Sequence, residues 1–291
     1  MSKLNKDVFD NKTIRMIDDV IDSKIKRLWF QNYEANKGLI KESKKLTDIP
    51  LVDSAIVVGA GWSLSQNAAH LAETDIPVIV CDKAADFISQ FVTPFAVAAL
   101  NTEETEVGAW LLKFKNSMEK SGRSLDDVWF IVPVTVNPEV FKVWTGKKIA
   151  FVNADNTCPE LVTLVQAETG IEPTLRGDNV GFFAVITAVT LGAKVISMIG
   201  MNYCYESKGE ALEATNGYSY VMLRDVRDVE VYTTLDWLHL RAQFINFCMA
   251  MIEQANVRFI NCSEGGILYE VGVVRDGDFK SWLAMMKRQQ S

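Results

Sequence analysis

The chain has 291 residues, 48% hydrophobic and 23% charged, with a formal net charge of −7 and a pI of about 5.1. That balance belongs to a soluble globular protein with one large core or two small ones, and the acidic surplus excludes a nucleic-acid surface, which needs a basic stripe. Five cysteines (Cys81, Cys158, Cys204, Cys248, Cys262) with no C-x-x-C pair predict free thiols, His70 and His239 are too few for a histidine-built zinc site, and no signal core or membrane-length apolar run is seen, which reads as cytoplasmic.

Ile14, Ile17, Ile21, Ile25 and Leu28 recur every three or four residues and predict an amphipathic helix over residues 13–31, continuing to about Lys45. Trp29, Phe30 and Tyr33 add an aromatic cluster. The pattern suits a packing arm or a homo-oligomer contact, and Pro50 marks its exit. Next comes the stretch on which the chain is organised, DSAIVVGAGWSL at residues 53–64. Ile56, Val57 and Val58 predict a buried strand that breaks into Gly59-Ala60-Gly61, with a helix starting at Ser63. Strand, glycine turn and helix start together present backbone N–H groups to a phosphate. A full dinucleotide fingerprint needs a third glycine where Leu64 stands, so a tight turn without ligand is the competing reading.

Helical pattern follows over residues 66–73, then a second buried strand over 77–81 that ends in Asp82. An acidic residue there commonly binds a ribose hydroxyl, although Asp82 also suits a cap for the next helix. A third strand, residues 95–100, runs into Asn101, and residues 106–120 read as a helix with Val107, Trp110, Leu111, Phe114 and Met118 on its apolar face. Two more strands are predicted at 128–132 and 149–152, with Asn137-Pro138 opening a helix between them. Arg176-Gly177-Asp178-Asn179-Val180-Gly181 then leads into a helix with Phe182, Val185, Ile186, Val189 and Thr190 inward. This second landmark reads either as half of an anion site or as a helix capped by Asp178 or Asn179. Residues 195–199 form a strand that ends in Gly200-Met201-Asn202-Tyr203. Residues 205–230 read as a polar, mobile, lid-like excursion. Residues 235–254 are a long helix, 257–260 a last strand, 261–266 a third glycine-bearing turn with Glu264, and 276–291 a terminal helix.

Strands alternating with helices imply an α/β, Rossmann-like fold: a mostly parallel sheet with helices on both faces, preceded by the N-terminal helical arm. Ligands of such sheets sit at the carboxyl ends of the strands, where Gly59, Asp82 and Asn101 all fall.

Five features resemble the family that groups motility accessory factors with archaeal 6-hydroxymethylpterin diphosphokinase-like proteins. They are Trp29-Phe30-Gln31-Asn32-Tyr33 with Asn36, and Gly59-Ala60-Gly61-Trp62-Ser63-Leu64 against a family Gly-x-Gly-Pro-Ser-Leu. The others are Gly177-Asp178-Asn179-Val180-Gly181, Ile199-Gly200-Met201-Asn202, and Val231-Tyr232-Thr233-Thr234 with Asn261-Cys262-Ser263-Glu264-Gly265-Gly266. The resemblance implies a helical arm over residues 1–48, a nucleotide-binding transferase domain over 49–270 and a C-terminal helix over 271–291. It also implies one of two activities: sialyltransferase-like transfer of a nonulosonic sugar from a CMP carrier to a protein or glycan acceptor, or diphosphate transfer from ATP to a pterin with Mg²⁺. The family often has Asp where this chain has Asn101 and Asn202, and each swap removes an oxygen anion that Mg²⁺ would use. The expected reading is therefore a glycosyltransferase with a CMP-activated sugar or other nucleotide as substrate and Mg²⁺ disfavoured. Gly59, Gly61 and Ser63 hold its phosphate, Asp82 its ribose, with Asn101, Gly177, Asn179 and Asn202 around them. Arg176 offsets the leaving-group charge, and Asp178 or Glu264 acts as base, because a neutral hydroxyl is a poor nucleophile. The ATP-dependent diphosphokinase and a non-catalytic nucleotide or sugar binder are the rival expectations.

Overall fold

The computed structural model describes residues 11–100, 107–154, 158–175, 177–215 and 220–290. Twelve strands are found among them: β1 (Lys44–Lys45), β2 (Ser54–Val58), β3 (Val78–Cys81), β4 (Ala96–Ala98), β5 (Trp129–Pro133), β6 (Ile149–Ala154), β7 (Pro173–Thr174), β8 (Val195–Ile199), β9 (Val221–Arg224), β10 (Glu230–Thr233), β11 (Arg258–Asn261) and β12 (Val274–Asp276). The helices are α1 (Asn11–Glu42), α2 (Leu64–Asn67), α3 (Ala85–Ile88), α4 (Val107–Lys120), α5 (Val140–Val143), α6 (Pro159–Thr169), α7 (Val180–Thr190), α8 (Lys208–Ala214), α9 (Leu235–Ala255) and α10 (Phe279–Gln290).

Every ladder of the main sheet is parallel, in the order β1-β6-β5-β4-β3-β2-β8-β11-β12, with β7 paired to β6. The chain builds outward from β2 through β3 to β6, then returns to the other side of β2 with β8. β2 and β8 are therefore the pair at which the winding reverses, and the crevice beyond their carboxyl ends is where such sheets bind ligands. Strand after strand is buried on both faces, which is why they read as unbroken apolar runs. On one face Ile56, Val80, Phe130 and Val132 pack with α4 and α10. On the other, Val57, Ile79, Ala96 and Ala98 pack with α7 and α9. α7 lies across β2, β3 and β4, where Ala55, Ala96 and Ala98 leave room for it. It is buried nearly all round, so no polar face shows in its sequence.

The second half of α1 is built into this core. Tyr33 is fully buried and donates its hydroxyl to Glu168 at 2.7 Å. The amide of Asn32 donates to the Thr135 carbonyl (3.0 Å), and that of Asn36 to the carbonyls of Val134 (3.2 Å) and Val136 (2.8 Å). The aromatic–Asn segment thus ties α1 to the loop at the carboxyl end of β5.

Two expectations are corrected and one helix is added. The helix expected over residues 66–73 is one α-turn, α2, followed by 3₁₀ turns over Ala68–Glu73. Asn67 is committed sideways to the Cys262 carbonyl (3.2 Å) and the Glu264 carboxylate (2.9 Å) at that point. Residues 205–230 are not a plain excursion: α8 starts with a Ser207–Glu210 capping box, and β9 and β10 form an antiparallel hairpin. Finally, α6 was not anticipated, although Pro159 at its first turn and Gly170 in the left-handed conformation at its end are ordinary start and stop signals.

Candidate functional site

At the switch point the β2 and β8 loops are pressed together. The Gly59 amide donates to the Ile199 carbonyl at 2.9 Å and the Gly61 amide to the Gly200 carbonyl at 2.8 Å. A Cβ on Gly61 would meet Asn202 Oδ1 at 2.1 Å and the Gly200 carbonyl oxygen at 2.6 Å, so glycine is required there by the neighbouring loop. The expected phosphate donors Gly59 and Gly61 therefore have their N–H groups spent on the protein. Ser63 is likewise committed, its hydroxyl (3.1 Å) and amide (3.4 Å) both donating to Asn202 Oδ1. What this loop retains is the amides of Ala60 and Trp62, which have no partner among the described residues.

Asn202 is buried and bridges three loops. Its oxygen receives Ser63, its Nδ2 donates to the Gly265 carbonyl (3.1 Å), and its own carbonyl accepts from the Ile267 amide (2.9 Å). A carboxylate here would face the Gly265 carbonyl with no proton to offer, so the amide fits where the family often has Asp. Glu264 stands at φ +55, its Oε1 accepting from Asn67 and from the Phe279 amide (3.2 Å) at the start of α10. It satisfies the first amide of that helix, whose N-cap is Asp278, with Oδ1 accepting from the Ser281 amide at 2.6 Å. Among the described residues no group of three or more His, Cys, Asp or Glu side chains is placed to hold a metal ion. Asn202 is occupied at both its oxygen and its nitrogen, so its side chain has no oxygen to spare for a cation.

The second landmark joins the first through Met201. A Cβ on Gly59 would come within 2.8 Å of the Met201 sulfur, and one on Gly181 within 2.6 Å. Asn179, rather than Asp178, caps α7: its Oδ1 accepts from the Phe182 amide at 2.9 Å. Its Nδ2 donates to the buried Tyr203 hydroxyl at 3.3 Å. Burial drives the Tyr203 phenol well above its usual range, so it stays protonated. Gly177 has φ +71, with the Phe182 ring against it. Asp178 is exposed and Asp82 is buried at the carboxyl end of β3, its Oδ1 accepting from the Lys83 amide at 2.6 Å; both have further interactions within the chain. Asn101 and Arg176 lie outside the described residues.

The sequence did not single out the hairpin turn. Asp225, its side chain fully buried, accepts from the amides of Arg227 (2.9 Å), Val229 (3.0 Å) and Gly266 (3.3 Å) and from the Arg227 guanidinium (2.8 and 3.0 Å). Burial pushes its carboxyl up, but the Val229 amide and Arg227 outweigh that and hold it below the usual carboxylate range. Arg227 lies over the Trp62 ring at 5.3 Å from its centroid. Trp62 is thus wedged between Arg227 and Gly265, its indole N–H buried beside the Cys204 thiol, which burial pushes up to about 11. Arg227 occupies ring surface that Trp62 would otherwise offer to a base or sugar. The one signal in the sequence was the charge alternation Arg224, Asp225, Arg227, Asp228, which reads equally as solvated surface.

The family model described as 6-hydroxymethylpterin diphosphokinase MptE-like matches residues 28–208. No curated protein matches the chain. Among solved structures the chain is similar in fold to the MAf glycosyltransferase from Magnetospirillum magneticum AMB-1, with a TM-score of 0.63 and 17% identity over 86% of this chain. It spans 38% of that protein's length. The sialyltransferase CstII from Campylobacter jejuni, solved with the substrate analogue CMP-3FNeuAc, aligns with 76% of this chain and 84% of its own at 10% identity and a TM-score of 0.37.

Proposed function

This chain belongs to the 6-hydroxymethylpterin diphosphokinase MptE-like family, and from that premise we propose that it is a nucleotide-binding transferase moving a sugar from a CMP-activated, nonulosonic-type donor to a hydroxyl acceptor. The donor lies in the crevice beyond β2 and β8. Its phosphate meets the amides of Ala60 and Trp62, and Asp82 at the end of β3 receives the ribose. Asp178, beside the α7 N-terminus, takes the acceptor proton as the acceptor oxygen bonds to the anomeric carbon. The bond from that carbon to the phosphate oxygen breaks, and CMP leaves with the electron pair. In this reading Arg176 offsets the charge of the leaving group and Asn101 lines the donor, both outside the described residues.

The observation that carries this reading is Asn202, locked between Ser63 and Gly265. It supports a transfer that does not depend on a metal at this position, because phosphoryl-type transfer from ATP leans on metal neutralisation of the triphosphate. The second reading, diphosphate transfer from ATP to a pterin, is favoured by the family description. Thermal denaturation with CMP, CDP, UDP, GDP and ATP, each with Mg²⁺ and with EDTA, separates the two. A ligand at a hundred times its dissociation constant adds about 2.7 kcal/mol. Stabilisation by cytidine nucleotides that survives EDTA, with transfer activity lost in D178N, is the expected result. Stabilisation by ATP only with Mg²⁺ would establish the diphosphokinase instead, and cytidine binding without turnover would make the chain a binder.

A further inference from the structure

Arg227 reaches from the β9–β10 turn back to the sheet. A Cβ on Gly265 would come within 2.8 Å of its Nη2, so the space a side chain would fill there is held by the guanidinium. Nε and Nη2 are fixed on Asp225, whereas Nη1 has no partner among the described residues and the side chain is 40% exposed. Three backbone amides also donate to Asp225 and absorb much of its charge, so the outer edge of the guanidinium remains cationic. The fork is held before any ligand arrives, so little side-chain entropy is lost on binding. Beneath it lies Trp62, whose amide, with that of Ala60, lacks a partner among the described residues.

We infer that Arg227 is the anion-recognising residue of the switch-point crevice, its Nη1 edge receiving a phosphate oxygen of the donor beside the Ala60 and Trp62 amides. The identity of that donor rests on the transferase reading above; the anion site does not. Among the described residues, Glu264 and Asp276 are carboxylates near this edge. The Asp276 carboxyl is raised by burial first and by Glu264 and Asp225 next. Against those carboxylates, the Arg227 guanidinium supplies positive charge from this side of the crevice.

Isothermal titration of the full chain with pyrophosphate, CMP and cytidine, in the wild type, R227Q and R227K, tests this. In R227Q the affinities for pyrophosphate and CMP should fall tenfold or more while that for cytidine is unchanged, with R227K intermediate because lysine keeps the charge but not the fork. Unchanged pyrophosphate and CMP affinity in R227Q overturns the assignment, as does an equal loss for cytidine, which would make Arg227 structural only. A wild type that binds neither anion overturns both the assignment and the nucleotide reading. Pyrophosphate binding that depends on Arg227 without any nucleotide binding upholds the anion site and removes the nucleotide.

Discussion

Asn202 and Glu264 show how much a single side chain can mislead when only its type is known. Both sit at strand ends, as catalytic groups do, yet Asn202 is bonded inside the protein through its oxygen and its nitrogen, and Glu264 Oε1 already accepts from two donors. Asn202→Asp should therefore not restore a metal site. It places a carboxylate oxygen against the Gly265 carbonyl and should cost about 1–3 kcal/mol, the usual penalty for leaving a buried group without its partner. Urea denaturation with and without Mg²⁺ checks this; recovery of stability by the ion would mean the position does bind metal. Glu264→Gln keeps the Oε1 acceptor that serves Asn67 and the Phe279 amide, so it should change stability little. Glu264→Ala leaves the Asn67 amide and the Phe279 amide without this acceptor and should lose about 1–3 kcal/mol. If E264Q abolished transfer in a stable protein, Glu264 would be the base and the assignment to Asp178 would fail.

At the scale of elements, the strands and the long helices were legible because their signals are local: β-branched runs for β2, β3 and β8, and i, i+3, i+4 spacing for α1, α4 and α9. The hairpin was not legible, because what fixes β9 and β10 is a buried carboxylate, Asp225, bonded to Gly266 from forty-one residues away in sequence. That carboxyl is held below its unfolded value, so its stabilisation is present above about pH 4 and is lost as pH falls through the folded value. D225N should accordingly be less stable than wild type at pH 7, and the gap should narrow as the pH drops below 4. Urea midpoints across pH 2–7 would show it, and parallel curves would refute the linkage. The docking of α1 follows the same logic: Asn36→Leu keeps the volume but strips the Val134 and Val136 carbonyls of their donor, and should cost about 1–3 kcal/mol. The same midpoint measurement at neutral pH suffices.

The sequence showed the glycine loops but not that they face each other, because their meeting depends on β8 inserting beside β2, with register from Ser54↔Val195 to Val58↔Ile199. No local pattern encodes a pairing across about 140 residues, and parallel sheets are dominated by such distant contacts. The candidate site is therefore a property of the whole molecule: one wall comes from the β2 loop and the other from the loops after β8 and β11. The two faces of the core are divided in the same way. Val57, Ile79, Ala96 and Ala98 are covered by α7 and α9, which arrive only after the chain has passed β7. A fragment ending at residue 175 would leave that apolar face bare and the β2 edge unpaired, while a fragment starting at 177 would leave β8 without its central partner. Expressed separately, neither fragment should show a cooperative thermal transition by circular dichroism. Mixed in equal amounts from denaturant, they should regain one together with whatever ligand binding the intact chain has. A first fragment that melts cooperatively alone would mean that β1 to β7 form a self-sufficient unit, and that the crevice is assembled between two bodies instead of within one sheet.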